Sequence, residues 1–430
     1  MTCLHKKTFL ILSIFISCLP VLRKGPVFAQ DWAEPYIKFQ QRVDLRDLGY
    51  PLVNEIPANS SAVTSLITAA DGNIYGATTG DTAYLFIFDP SINKVRHLGK
   101  VKDQQSIHHS LVEDKDGFIY LGTGKNILAE IPLSKGGIGR EYIDVTLWND
   151  IKNHYKDYPG GHLYRYAPKE SNKRVKLPQA ECDLVDLGIP VPGNSIYALT
   201  VNPAKDEIYG LTYPDGHFFI YIITSKAFKD LGEIDKRRVY HGPERHWRSL
   251  PRALISDDSS RVYTTGADGN IVYYDPGSGK IVSTDLKIPE DRYPAQSVES
   301  HAVVEYFTRA RCGLIYGGSS DGYLFSFNPC KMELLNLGKP RSSRRLRAVT
   351  VGDNGKVYMM AGERASTRPC QLFCYDPQKG AYENLGLLIA DRSPYYYWRG
   401  YQFDCMTTGA DGTIYLGESE RKSHLFLYIP

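Results

Sequence analysis

Residues 70–99 read "ADGNIYGATTGDTAYLFIFDPSINKVRHLG". Asp71-Gly72 is a turn dipeptide, and Ile74–Thr79 and Tyr84–Asp89 are short alternating runs of β-formers. The run Lys94–Gly99 ends the unit, and another short apolar run precedes the Asp-Gly turn. The phrase therefore predicts four short antiparallel strands joined by tight turns.

The same phrase returns along the chain. It recurs as "DGFIYLGTG" (116–124) with "HLYRYAPKES" (162–171) and "LVDLG" (184–188), as "DEIYGLTYPDGHFFIYIITSKAFKDLG" (206–232), and as "SRVYTTGADGNIVYYDPGSGKIVSTDL" (260–286). Three further copies are "CGLIYGGSSDGYLFSFNPCKMELLNLG" (312–338), "GKVYMMAGERASTRPCQLFCYDPQKGAYENLG" (355–386) and "DGTIYLGESERKSHLFLYIP" (411–430). Seven four-stranded units at intervals of about 50 residues predict an all-β fold, a seven-bladed β-propeller. The seventh copy stops after its third strand, while Arg42–Gly49 ("RVDLRDLG") resembles an orphan fourth strand ahead of the first. An N-terminal strand completing the last blade would close the ring and leave no open edge. The chain has no Trp-Asp pair and only two Gly-His pairs, so the repeating WD40 signature is absent.

Composition agrees with many short strands and turns: 31 Tyr, 38 Gly and 25 Pro in 430 residues. A formal net charge of +3 gives no nucleic-acid footprint. Lys6 and Lys7, the apolar run Thr8–Leu22 and Val27-Phe28-Ala29 predict a signal peptide over residues 1–29 and a secreted or periplasmic protein. Cys18 in "FISC" offers lipid anchoring as the alternative. No later segment is apolar enough to span a membrane, and the mature chain is expected to be a monomer. Cys312 and Cys330, in two turns of the fifth copy, are expected to form a disulfide; Cys374 and Cys405 read as buried thiols.

Function is sought where the copies disagree while facing one place. Tyr75, Tyr120, Tyr209, Tyr263, Tyr316, Tyr358 and Tyr415 repeat in every unit and read as scaffold. The position at the start of each first strand varies: Thr64, His109, Tyr197, Arg252, His301, Arg347 and Asp404. These would form a polar circle at the mouth of the central channel. The same face is expected to collect Trp247 and Arg248 from the loop before blade four, Tyr397 and Arg399 from the loop before blade seven, and Tyr213 and His217 from blade three. An insertion in blade two, residues 125–161, leads into His162. Aromatic platforms interleaved with arginines suit an anionic polysaccharide. Each member also has a plainer reading, His108 and His109 as packed strand-end histidines, and Arg252 and Arg347 as bridges between blades.

Neither a Gly-x-Ser-x-Gly elbow nor paired carboxylates for glycoside hydrolysis are evident, and Asp404 has no obvious partner. Histidine, tyrosine and arginine together suit β-elimination of a uronate-containing polysaccharide. On these residue types the sequence resembles the propeller-type polysaccharide lyases, of which the ulvan lyases are the known type. The resemblance implies His109 and Tyr197 as the base and acid, Arg252 as the carboxylate clamp, and His162 or His301 as a second histidine. Arg347, Tyr213, His217, Trp247, Arg248, Tyr397 and Arg399 would contact substrate. The reading requires no cofactor and allows a structural metal ion. The alternative is a propeller that binds a glycan or a protein without chemistry.

Overall fold

The computed structural model describes residues 36–38, 56–126, 153–168, 181–234, 250–291, 301–343, 345–362, 370–393, 396–419 and 423–430. Seven antiparallel sheets follow one another along the chain and form a seven-bladed β-propeller. Blade one consists of Ala62–Thr68, Ile74–Thr79, Tyr84–Asp89 and Lys94–Lys100, paired in that order. The first strands of the next blades are Leu111–Glu113, Ser195–Val201, Ile255–Ser256, Val304–Arg309, Ala348–Val351 and Phe403–Thr408.

The repeated residues explain the repeated shape. Each of the seven tyrosines is at most 5 % exposed, and several tie down their own hairpin. Tyr75 donates to Asp71 (3.0 Å) and Tyr263 to Asp257 (2.9 Å), the acids that open the Asp-Gly-type turns. A buried phenol is thus satisfied locally while its ring packs in the core. The glycine after the tyrosine has a separate cause. A Cβ on Gly76, Gly210 or Gly317 would lie 2.0–2.2 Å from the ring of Phe86, Phe219 or Phe325, its partner across the sheet. The phenylalanine of the third strand lies flat where a side chain would otherwise stand.

The ring closes between blades seven and one. Thr68 hydrogen-bonds Thr407 (2.9 Å) and the carbonyl of Thr408, Ser423 N donates to Ser61, and one apolar core runs through blades one, six and seven. Blade seven has three strands among the described residues. The expected closing strand Arg42–Gly49 lies outside those residues, as does the expected signal peptide. A different N-terminal strand, Tyr36–Lys38, pairs in parallel with Leu387–Ile389 of blade six. Among the described residues no helix is long and apolar enough to cross a membrane.

The expected disulfide does not form. Cys312 and Cys330 are free and exposed. One sits at the tip between the first and second strands of blade five and the other between the third and fourth. The two tips are two strand spacings apart, roughly 10 Å, beyond the ~7 Å reach of a disulfide. Cys374 and Cys405 are buried thiols, as read.

Candidate functional site

The channel mouth is built by an irregularity in the inner strands. In blades one, three, five and seven the pairing of first and second strands slips by one residue, and the unpaired residues are Thr64, Tyr197, Glu305 and Asp404. Such bulges turn a side chain out of the pleat. In blades two, four and six the equivalent residues, His109, Arg252 and Arg347, lie just before the strand begins. His109 holds a left-handed backbone, φ +30°, with its N–H on Thr64 O and its carbonyl accepting from Leu199 N.

Five charged groups from four blades meet there. Arg345 grips Glu305 through two 2.9 Å bonds, Arg252 approaches the same carboxylate at 3.5 Å, and Arg347 pairs with Asp404 at 3.0 Å. Gln402 donates to the second oxygen of Asp404 (3.3 Å). Burial alone would raise the Glu305 carboxyl, but Arg252 and Arg345 hold it at about 2; Asp404 is likewise held below the carboxylate range against its burial, chiefly by Arg347. Burial and the nearby Arg252 and Arg347 bring Arg345 down to about 10. Among the described residues, three guanidinium groups thus face two ionised carboxylates, and one positive charge is left over. The three arginine side chains are 15–25 % exposed.

Neutral groups complete the cluster. Burial drives His108 to about 3 and His109 to about 4, so both imidazoles are uncharged at neutral pH. The Nδ1 atom of His109 is buried with no hydrogen-bond partner among the described residues. The His109 ring stands edge-on to Tyr306 (5.3 Å), whose hydroxyl donates to Met406 O, so residues of blades two, five and seven meet at the axis. Tyr197 packs on His108 (5.2 Å), on Tyr213 (5.6 Å) and under the Arg252 guanidinium (5.6 Å); burial raises its phenol. From Tyr213 the aromatic row continues to Tyr155 and Tyr158.

The structure therefore brings together His109, Tyr197, Arg252, Arg347, Asp404 and Tyr213. His301 is placed elsewhere. It binds Glu290 (3.1 Å) and Lys287 (2.9 Å), and Glu305 occupies its expected position in blade five. His162 and His217 also face away from the cluster, each bonded at 2.9 Å to the aspartate of the Asp-Leu-Gly step in its own outer strand, Asp186 and Asp230. That aspartate also accepts from the glycine N–H, so these histidines lock a bulge. Arg399 lies over the Tyr401 ring. Trp247 and Arg248 lie outside the described residues, as does the side chain of Tyr397. Glu305 and Arg345 were not anticipated. Among the described residues no group of three or more His, Cys, Asp or Glu could hold a metal ion.

No protein-family model and no curated protein matches this chain in sequence. Solved structures match in fold. A streptogramin B lyase is 12% identical over 86% of this chain and 95% of its own, with TM-score 0.55. Virginiamycin B lyase from Staphylococcus aureus is 11% identical over the same shares, TM-score 0.55. A fungal alcohol oxidase of the AA5 family, solved with copper, is 13% identical over 86% of this chain and 74% of its own, TM-score 0.55. These likenesses carry the propeller fold and nothing finer; none of these relatives is an ulvan lyase.

Proposed function

We propose that this propeller binds a uronate-bearing polysaccharide at its channel mouth and cleaves it by β-elimination. The observation that carries the reading is the convergence of one uncompensated guanidinium charge with a neutral imidazole and a neutral phenol. Arg252 and Arg345 would pair with the sugar carboxylate and increase the acidity of the adjacent C–H. His109 would take that proton. The C–H electron pair forms the new carbon–carbon double bond, the glycosidic C–O bond breaks, and the departing oxygen takes the proton of Tyr197. Tyr197 is then reprotonated from the imidazolium by way of solvent. A bound carboxylate next to His109 favours its charged form, which raises its basicity from the low value of the free protein.

A second reading, recognition without cleavage, is favoured by the tight packing of His109 against Tyr306. Incubation with pectate, alginate and hyaluronan separates the two. Elimination yields an unsaturated uronate that absorbs in the ultraviolet. Binding of a polymer with no such product would leave recognition alone, and neither binding nor product would sink both.

A further inference from the structure

A cavity of about 700 Å³ lies between blades one and two, on the face that carries the channel mouth. Its wall includes the connecting segment Lys100–Gln105, which runs on through Ser106 to His109, so the cavity and the charged funnel share a stretch of backbone. Its volume falls within the ~300–1,000 Å³ usual for small-molecule sites. Its chemistry differs from that of the funnel. Lys100, Lys102 and Lys125 stand against Asp81, Asp103 and Glu181, so the lining has no net charge.

Other side chains in the wall point to a ligand. Gln104 is only 7 % exposed, yet its amide has just one long contact, 3.5 Å from the Tyr158 hydroxyl to its oxygen. Its amide nitrogen donates to no described residue, and a ligand in the cavity can accept from it. His162 is fixed through Nδ1 by Asp186 and stacked on Tyr164, which leaves Nε2 for the cavity. Tyr158 is half-buried, and its ring is held between Lys125 (5.5 Å) and Tyr155 (5.6 Å).

We infer that this cavity is a binding site for a neutral saccharide. Sugar hydroxyls both donate and accept, and this lining offers donors and acceptors in balance. One fixed aromatic ring supplies the apolar surface that a pyranose face needs. A free anion would meet three carboxylates, and a free cation three ammonium groups. The site is independent of the funnel: it takes uncharged sugar whether or not a uronate is cleaved nearby.

The test is a glycan array of neutral oligosaccharides, with the hits titrated calorimetrically into the full chain. At least one neutral oligosaccharide is expected to bind. Tyr158→Ala and Gln104→Leu should each weaken it on the order of tenfold, whereas Arg252→Ala should leave it unchanged. Hydrogen exchange checks the same point without a variant: residues 100–105 and 156–162 should slow on binding. Failure of every neutral glycan to bind, or equal loss with Arg252→Ala, overturns the inference. Because no uronate is present, neither result bears on elimination at the funnel.

Discussion

Glu305→Gln is the sharpest perturbation of the channel mouth. The carboxylate is 4 % exposed, grips Arg345 through two 2.9 Å bonds and has Arg252 at 3.5 Å. Its pKa falls from 4.5 to about 2 on folding, which at ~1.4 kcal/mol per pH unit amounts to about 3 kcal/mol of pH-dependent stability. A depressed carboxyl contributes that stability fully above 4.5 and loses it as the pH falls towards 2. Removing one member of a buried ion pair costs roughly 3–5 kcal/mol. Partial solvation of the arginines places the expected cost at the lower end, about 3 kcal/mol. Urea unfolding of both proteins across this range gives a double difference in which acids remote from the cluster cancel. The gap between wild type and Glu305→Gln should be about 3 kcal/mol at neutral pH and close towards pH 2. A gap near zero at neutral pH, or one unchanged by acid, would refute the cluster as described.

Three further expectations follow from particular groups. Because burial holds His109 at about 4 in the free protein, kcat/KM for any uronate substrate should fall as the pH drops through that region and show no inflection at the usual histidine value, whereas kcat should fall at a higher pH; the two pH profiles decide. Gly317→Ala would set a Cβ 2.2 Å from the Phe325 ring and should cost about 1–3 kcal/mol in an unfolding titration; a neutral result would mean that the ring does not lie where described. Thiol titration of the native protein should find Cys312 and Cys330 reactive, with Cys182, Cys370, Cys374 and Cys405 reacting only after unfolding, and a native disulfide would show as the loss of the first two.

The blades were legible because their cause is local: a turn dipeptide, a tyrosine that bonds the turn, and a glycine on which a phenylalanine lies. Most of the channel mouth was legible for the same reason. In six blades the mouth residue stands eleven places before the repeated tyrosine, and in blade three twelve. Applied to blade five, that count selects Glu305; His301, fifteen places before Tyr316, lies in the preceding connection. The polar residue between Val304 and Tyr306 was the available signal. Arg345 had none, because it enters the cluster through a left-handed backbone (φ +63°) two residues before the repeating position. His162 and His217 stand apart from the charged cluster because a histidine that opens a third strand finds the Asp-Leu-Gly aspartate of its own blade first. The cysteine pair failed because a face shared by two turns does not bring them within bonding distance.

The most direct check of the central claim is a crystal structure of Tyr197→Phe with a uronate oligosaccharide at saturating concentration. The account predicts the sugar carboxylate within hydrogen-bonding distance of Arg252 or Arg345, with the ring beside residue 197 and His109. An oligosaccharide seated elsewhere on the propeller, or none bound, would contradict it.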